Sequence, residues 1–390
     1  MNILFWGTGR YASMWMIHNS ALLQSTSYRF IERNLTKTDF WGKQIIKPDE
    51  IKQFDYDYLC ILSSAFEAIK KDAIEKYNVE EKRILSANEL ETKLFLANKQ
   101  NVTVNILLRH IAQSKPEIEP MNDYCDYTYI KKTYQNYVDN WVYNAEPKHD
   151  VANKIVWVCW FQGYEDTPPI VKACINSIKK NMGNSYEIRL VTENNLENYI
   201  QFPDHIKEKY KKGLISKTHF SDLLRVELLV TYGGIWMDAT VLLTSPIPAI
   251  IQDSELFLFR FPNARGRLIE PRIAASWFIV SKPHNKILML VRDLCYQYWH
   301  DYDFLINYFL FHQFFRMASE KFSEEWDQVI WHVGGNTNTL SWILFQPYDE
   351  QRYKYYTKLD FCQKLSYKIE IPKEIDGTFY AKILDEYLPK

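Results

Sequence analysis

No run of 18 or more consecutive apolar residues occurs in this 390-residue chain, so the sequence encodes no helix of the length that crosses a bilayer. Met1-Asn2 leads directly into a strand-like stretch, without the basic and small-residue flanks of a secretory leader. Charge of one sign is also missing: 47 Lys+Arg stand against 48 Asp+Glu, which argues against general nucleic-acid binding. The six cysteines, at 60, 125, 159, 174, 295 and 362, show neither C-x-x-C nor zinc spacing. They read as reduced thiols of a cytoplasmic protein. Internal repeats and low-complexity tracts are absent, and the length allows two or three domains with cores of their own.

What is present concentrates in residues 219–240, HFSDLLRVELLVTYGGIWMDAT. From Phe220 to Val230 the apolar residues leave almost no wet face, the pattern of a buried helix. Asp222, Arg225 and Glu227 on that helix need partners, because an unpaired buried charge is costly. Asp222 and Arg225 lie at i and i+3, so they can pair with each other or converge on one ligand. Gly233 and Gly234 are expected to end the helix through a left-handed cap. A short strand follows, in which Trp236, Asp238 and Thr240 share one side. The layout suits a nucleotide diphosphate.

The order S-D-L-L-R…Y-G-G-I-W-M-D-A-T resembles the core of the glycosyltransferases with the A-type nucleotide-sugar fold. It is most similar to the bacterial capsular polysaccharide synthesis proteins, relatives of glycosyltransferase family 32 and of the large clostridial glucosylating toxins. KIVWVCWFQGYEDTPP (154–169), SYEIRLVTENNLENYI (185–200) and KLSYK (364–368) fit the same family, so the resemblance spans roughly residues 150–370. It implies an α/β fold with an open mixed sheet and helices on both faces. It also implies Asp238, Asp222 and Arg225 as catalytic groups gripping donor sugar and phosphate. Arginine suits the phosphate because its guanidinium is a planar fork of donors. A structural ion pair is the other reading of Asp222 and Arg225, and His219 is as readily structural as a ligand.

The family's D-x-D supports a Mn2+ or Mg2+ ion and the donor ribose. Here it reads Asp238-Ala239-Thr240, and Thr240 brings no charge, which weakens the case for a metal. His332, before Gly334-Gly335-Asn336, matches a metal-ligating histidine that some A-type transferases carry late in the chain. Trp160 stands where the related toxins stack an aromatic on uracil, with Phe161 and Gln162 beside it at the end of a first parallel strand. Glu165 and the Thr192-Glu193-Asn194 turn belong to the same expected pocket. Lys364, Ser366 and Lys368 alternate, so an extended segment would turn all three toward a phosphate, as in related enzymes that close a C-terminal loop over the pyrophosphate.

The front of the chain, NILFWGTGRYA (2–12), runs a strand into Gly7-x-Gly9-x-x-Ala12. Bare N–H groups at such a helix start can cradle phosphate. Glu32 lies near the spacing of the acid that holds a ribose hydroxyl. Residues 1–95 thus read as a small βαβαβ, Rossmann-like nucleotide-binding-type domain, 96–150 as a polar helical connector broken at Lys115-Pro116 and Glu119-Pro120, and 151–390 as the transferase domain with a C-terminal helical region. No Tyr-x-x-x-Lys lies within residues 1–95, which favours a non-redox role, and such domains resemble those fused to many bacterial polysaccharide enzymes.

Aromatic residues are abundant: 12 Trp, 27 Tyr and 22 Phe make up 16% of the chain, a supply that serves cores and sugar-binding platforms alike. The densest patch, residues 296–315, reads as a mostly buried helix pair, an acceptor groove, or a surface leaning on a lipid-linked acceptor at the membrane interface. The expectation is a cytoplasmic glycosyltransferase, peripheral at the inner face of the membrane, with a UDP-sugar donor and a saccharide or lipid-linked saccharide acceptor. The resemblance implies retention of the anomeric configuration, and because no carboxylate nucleophile stands out, the expected route is front-face attack by the acceptor. A nicotinamide-dependent oxidoreductase and a non-catalytic nucleotide-binding scaffold are the alternatives.

Overall fold

The computed structural model of the chain describes residues 1–23, 26–34, 37–97, 119–144, 154–261 and 271–388. Two compact units divide it, Met1–Lys132 and Thr133–Lys390.

The first unit holds strands β1 (Asn2–Trp6), β2 (Ser27–Ile31), β3 (Asp39–Phe40), β4 (Lys43–Ile46), β5 (Tyr58–Ile61) and β6 (Ile84–Ser86). They form one sheet in the order β3-β4-β2-β1-β5-β6, parallel except for the β3/β4 pair. Alternation along β1 builds both of its cores: Ile3 and Phe5 join one apolar cluster, Leu4 and Trp6 the other. The sheet is larger than the three strands expected from the sequence. Strands β4 and β6 have only four and three residues, too few for their alternation to register against neighbouring charges.

The helix Glu119–Asn140 begins at the Glu119-Pro120 step that was expected to break one. Proline is tolerated in a first turn, where its missing N–H has no intrahelical partner to lose. Lys115-Pro116 lies outside the described residues.

In the second unit β7 (Ile155–Cys159), β8 (Glu187–Val191), β9 (Gly234–Asp238), β11 (Leu256–Arg260) and β12 (Ala274–Ser281) form a mixed sheet in the order β11-β12-β9-β7-β8. β7 runs parallel to β8 and β9, and β12 is antiparallel to β9 and β11. β10 (Val241–Leu243) pairs separately and antiparallel with β13 (Cys362–Lys364). Val156, Val158, Ile235 and Met237 pack with Ile170, Val171, Cys174 and Ile178 of the helix Pro169–Met182. The opposite parity, Trp157 and Trp236, faces the helix Lys217–Tyr232: Trp157 meets Tyr232 at 5.5 Å and Trp236 lies under Arg225. Helices therefore cover both faces, as expected for this class.

The helix Lys217–Tyr232 starts three residues before the apolar run, where the Ser216 hydroxyl caps it by accepting from the His219 N–H at 3.2 Å. Gly233 ends it with φ 68° and ψ −159°. That is a glycine conformation of positive φ, yet extended in ψ, and differs from the left-handed cap expected. A Cβ on Gly234 (φ 99°) would stand 2.6 Å from the Ile155 carbonyl oxygen, so the close approach of β9 to β7 requires glycine there.

The aromatic patch at 296–315 falls on the helices Lys286–Asp301 and Leu310–Lys321. Tyr298, Trp299, Phe311, Phe314 and Phe315 are buried in it, while Tyr308 between the helices is exposed. Among the described residues no helix is long and apolar enough to cross a membrane.

Candidate active site

β7 and β9 end side by side, with Cys159 and Asp238 as register partners. Open α/β sheets bind ligands beyond the carboxyl ends of their parallel strands. A cleft of about 460 Å³ lies there, within the roughly 300–1,000 Å³ of small-molecule sites. Its described lining carries Lys217, Arg225, Lys364 and Lys368 against a single carboxylate, Asp238. Glu193 and Asp222 pair with Lys217 and Arg225 from outside the lining, at 3.3 and 2.5 Å, and the lining itself stays net positive. An excess of one sign on a concave wall attracts the opposite sign.

Asp238 is the hub. Its Oδ1 accepts from Arg225 Nη2 at 3.1 Å and from the Trp236 indole at 3.0 Å, and its Oδ2 accepts from Lys364 Nζ at 3.0 Å. Burial pushes the carboxyl's pKa upward, but the Lys364 ammonium and the Arg225 guanidinium outweigh it and hold the value below that of an ordinary aspartate. Lys364 also donates to the Thr240 hydroxyl. Cys159, beside Asp238, is pushed far up by burial and by the Asp238 charge, which keeps its thiol protonated and a poor nucleophile.

Asp222 does not line the cleft. It stands behind Arg225, accepting from Nη1 at 2.5 Å, with His219 Nδ1 at 3.4 Å on its other oxygen. It therefore sets the guanidinium's orientation. His219 is buried against Trp299, with ring centroids 5.6 Å apart, and does not line the cleft.

Trp160, Phe161 and Gln162 all reach the cleft, in different ways. Phe161 is buried against Phe220 at 5.8 Å. Trp160 is only partly buried and meets the ring of Tyr367 edge-on at 5.1 Å. Ser366 and Lys368 also line the wall, and the Ser366 hydroxyl accepts from the Lys368 N–H at 3.1 Å. Glu165 is exposed and Glu193 pairs with Lys217 at 3.3 Å, so neither lines the pocket as expected.

Sequence reasoning missed Thr218, Ser221, Tyr308 and Tyr367, which also line the cleft. Thr218, Ser221 and Arg225 recur at i, i+3 and i+7, one face of the helix, and that spacing could have revealed them. Tyr308 brings an exposed phenol hydroxyl to the rim of the cleft.

The donor set does not fit a divalent cation. Both oxygens of Asp238 are engaged by cationic or N–H donors, and Thr240 is neutral and turned to Lys364. His332 is not on the cleft: it pairs with the buried Asp360 at 3.5 Å and packs on Phe259 at 4.9 Å.

At the glycine turn of the first unit, the Gly7 N–H donates to the Ile31 carbonyl at 3.0 Å, and the Glu32 carboxylate accepts from the Thr8 hydroxyl at 2.8 Å. A Cβ on Gly7 (φ 129°) would lie 2.5 Å from the Leu62 carbonyl oxygen, while one on Gly9 would meet nothing within 4 Å. Gly7 is thus required by packing, whatever binds there.

The family model described as capsular polysaccharide synthesis protein matches residues 107–383, and one described as C2185-like, N-terminal, matches residues 1–85. An O-glycosyltransferase, PaGT, of Phomopsis amygdali is 27% identical over 173 residues, 40% of this chain and 42% of that protein. The O-glycosyltransferase braB of Annulohypoxylon truncatum is 31% identical over 103 residues, 24% of each. The chain thus spans less than half the length of these curated relatives.

Among solved structures, the PaToxG glycosyltransferase is similar at TM-score 0.32 and 15% identity, over 52% of this chain and 82% of that one. The apo-form glycosyltransferase GlyE of Streptococcus pneumoniae is similar at TM-score 0.31 and 10% identity, over 61% of each. The match over residues 107–383 takes in the cleft and all of the sheet that carries it, and the chain belongs to the capsular polysaccharide synthesis protein family.

Proposed function

We propose that this chain is a nucleotide-sugar-dependent glycosyltransferase of hexosyltransferase type, moving a sugar from a UDP-sugar to a hydroxyl of a growing bacterial surface or capsular polysaccharide. The observation that carries the reading is the convergence of Arg225 and Lys364 on Asp238 in a cation-rich cleft at the strand ends. Breaking a sugar–phosphate bond builds negative charge on the departing diphosphate, which preorganised cations stabilise. The relatives' names, both O-glycosyltransferases, support an acceptor hydroxyl.

In this reading Trp160 offers a face to the base, Arg225, Lys364 and Lys368 receive the diphosphate, and Asp238 orients the donor. The acceptor oxygen bonds to the anomeric carbon as the bond from that carbon to the phosphate oxygen breaks. Its electron pair stays on the diphosphate, which also takes the acceptor proton. With no carboxylate other than Asp238 among the described lining residues, attack from the leaving-group face, with retention, is favoured over a double displacement. The setting would be the cytoplasmic face of the membrane, where lipid-linked acceptors are presented.

The test is nucleotide release from UDP-, GDP- and CMP-sugars in the presence of saccharide acceptors, for wild type and Asp238→Asn, with thermal melting to confirm folding. Release from one donor that the folded variant loses supports the transferase. Equal release by both proteins, or none from any donor, overturns it.

A further inference from the structure

The carboxylate that a D-x-D sequence would dedicate to a divalent ion has here another partner. Lys364 Nζ lies 3.0 Å from Asp238 Oδ2 and also donates to Thr240, the residue standing where the second acid would be. The two side chains that would flank a metal instead flank an ammonium.

That ammonium is held by the fold. Lys364 ends β13, directly opposite Val241 in the β10/β13 ladder, and its N–H donates to the Thr337 carbonyl. Its side chain is 23% exposed, so the charge sits on the cleft wall with limited solvent around it. A lysine ammonium has three donors. Asp238 and Thr240 take two, and the third remains for an oxygen anion in the cleft.

Arg225 supplies a second fixed cation on the other oxygen of Asp238. A divalent ion entering here would have to displace Lys364 from Asp238, and it would then share one carboxylate and a neutral hydroxyl with two neighbouring positive charges. Magnesium and manganese sites are made instead from one or two free carboxylates together with substrate phosphates.

We infer that Lys364, together with Arg225, takes the place of the divalent cation, so that this cleft binds a nucleoside diphosphate without metal. The inference rests on the nucleotide-sugar reading of the cleft and deepens it. Lys364 then offers a point charge to the diphosphate, and Arg225, whose terminal nitrogens hold Asp222 and Asp238, adds a second fixed positive charge beside it.

The test is calorimetric binding of UDP and GDP to the full chain, first in EDTA and then in manganese, for wild type, Lys364→Met and Lys364→Arg. Wild type is expected to bind one of the two nucleotides in EDTA, with manganese changing the dissociation constant by less than about threefold. Lys364→Met should weaken binding by about tenfold or more, and Lys364→Arg by less, because charge on the phosphate is what is lost. Thermal melting checks folding, and should Lys364→Met not fold, the wild-type comparison and Lys364→Arg decide.

Binding by wild type that requires manganese overturns the inference and leaves the transferase reading in place. A folded Lys364→Met that binds as tightly as wild type overturns it also. Absence of binding by either nucleotide under both conditions overturns the inference and the transferase reading together.

Discussion

Arg225 Nη2 lies 3.1 Å from Asp238 Oδ1, joining the middle of the helix Lys217–Tyr232 to the last residue of β9. The same guanidinium holds Asp222 with its other terminal nitrogen and rides over the Trp236 ring at 5.1 Å. Its orientation is fixed from three sides, so the site needs little reorganisation to meet an anion.

Replacing Arg225 separates its two duties. Arg225→Ala leaves Asp222, with a side chain 12% exposed, without its main counter-charge, and should lower stability by about 3–5 kcal/mol. Arg225→Lys keeps the charge but cannot span two carboxylates, so it should fold yet bind UDP about tenfold more weakly. Urea denaturation alongside UDP titration checks both, and an Arg225→Lys variant with undiminished affinity would contradict the role given to the fork.

The Asp238 cluster gives stability a defined pH dependence. Lys364 and Arg225 hold the Asp238 pKa below its ordinary value, so their stabilisation is complete above the unfolded-state pKa of about 3.9 and is lost as pH falls through the lower folded value. The difference in unfolding free energy between wild type and Asp238→Asn should be constant from about pH 5 to 7 and shrink below about pH 4. Denaturation at a series of pH values measures it, and a difference that grows on acidification would show that the pairs do not stabilise the fold.

The two glycines of the first turn should respond unequally. Gly7→Ala forces a side chain onto the Leu62 carbonyl at positive φ and should cost on the order of 3 kcal/mol. Gly9→Ala meets open space, and at a helix N-cap should cost only about 0.5–1 kcal/mol. Differential scanning calorimetry of the two single variants reads this, with equal losses contradicting the steric account. A double substitution would therefore report on packing before it reported on any nucleotide.

The parts of the fold visible in the sequence were those with a strong local signal. The all-round apolar helix, the glycine pair after it and the strand to Asp238 came from local pattern, whereas the α/β class with its mixed sheet came from the family resemblance. Strands β4 and β6 were invisible because three or four residues carry too little pattern. In the cleft, Asp238, Arg225, Thr240 and Lys364 were each singled out as ligand-facing residues, but their mutual contacts were not, since Lys364 and Asp238 are 126 positions apart. Asp222 was read as touching the ligand because i, i+3 spacing fixes a face and cannot say which member of a pair lies in front. Tyr308 was hidden in an aromatic run whose other members are mostly buried, and no periodicity distinguishes the one that faces the cleft.

The pairing of β10 with β13 also bears on how the protein is made. Asp238, Thr240 and Arg225 emerge from the ribosome long before residue 364, and until then the Asp238 carboxylate has only Arg225 as a cationic partner. Contacts so distant in sequence form late and slowly. A chain that stops short of β13 would lack the Lys364 ammonium on Asp238, so the cleft's charge is completed only by a segment 126 positions beyond the carboxylate it partners.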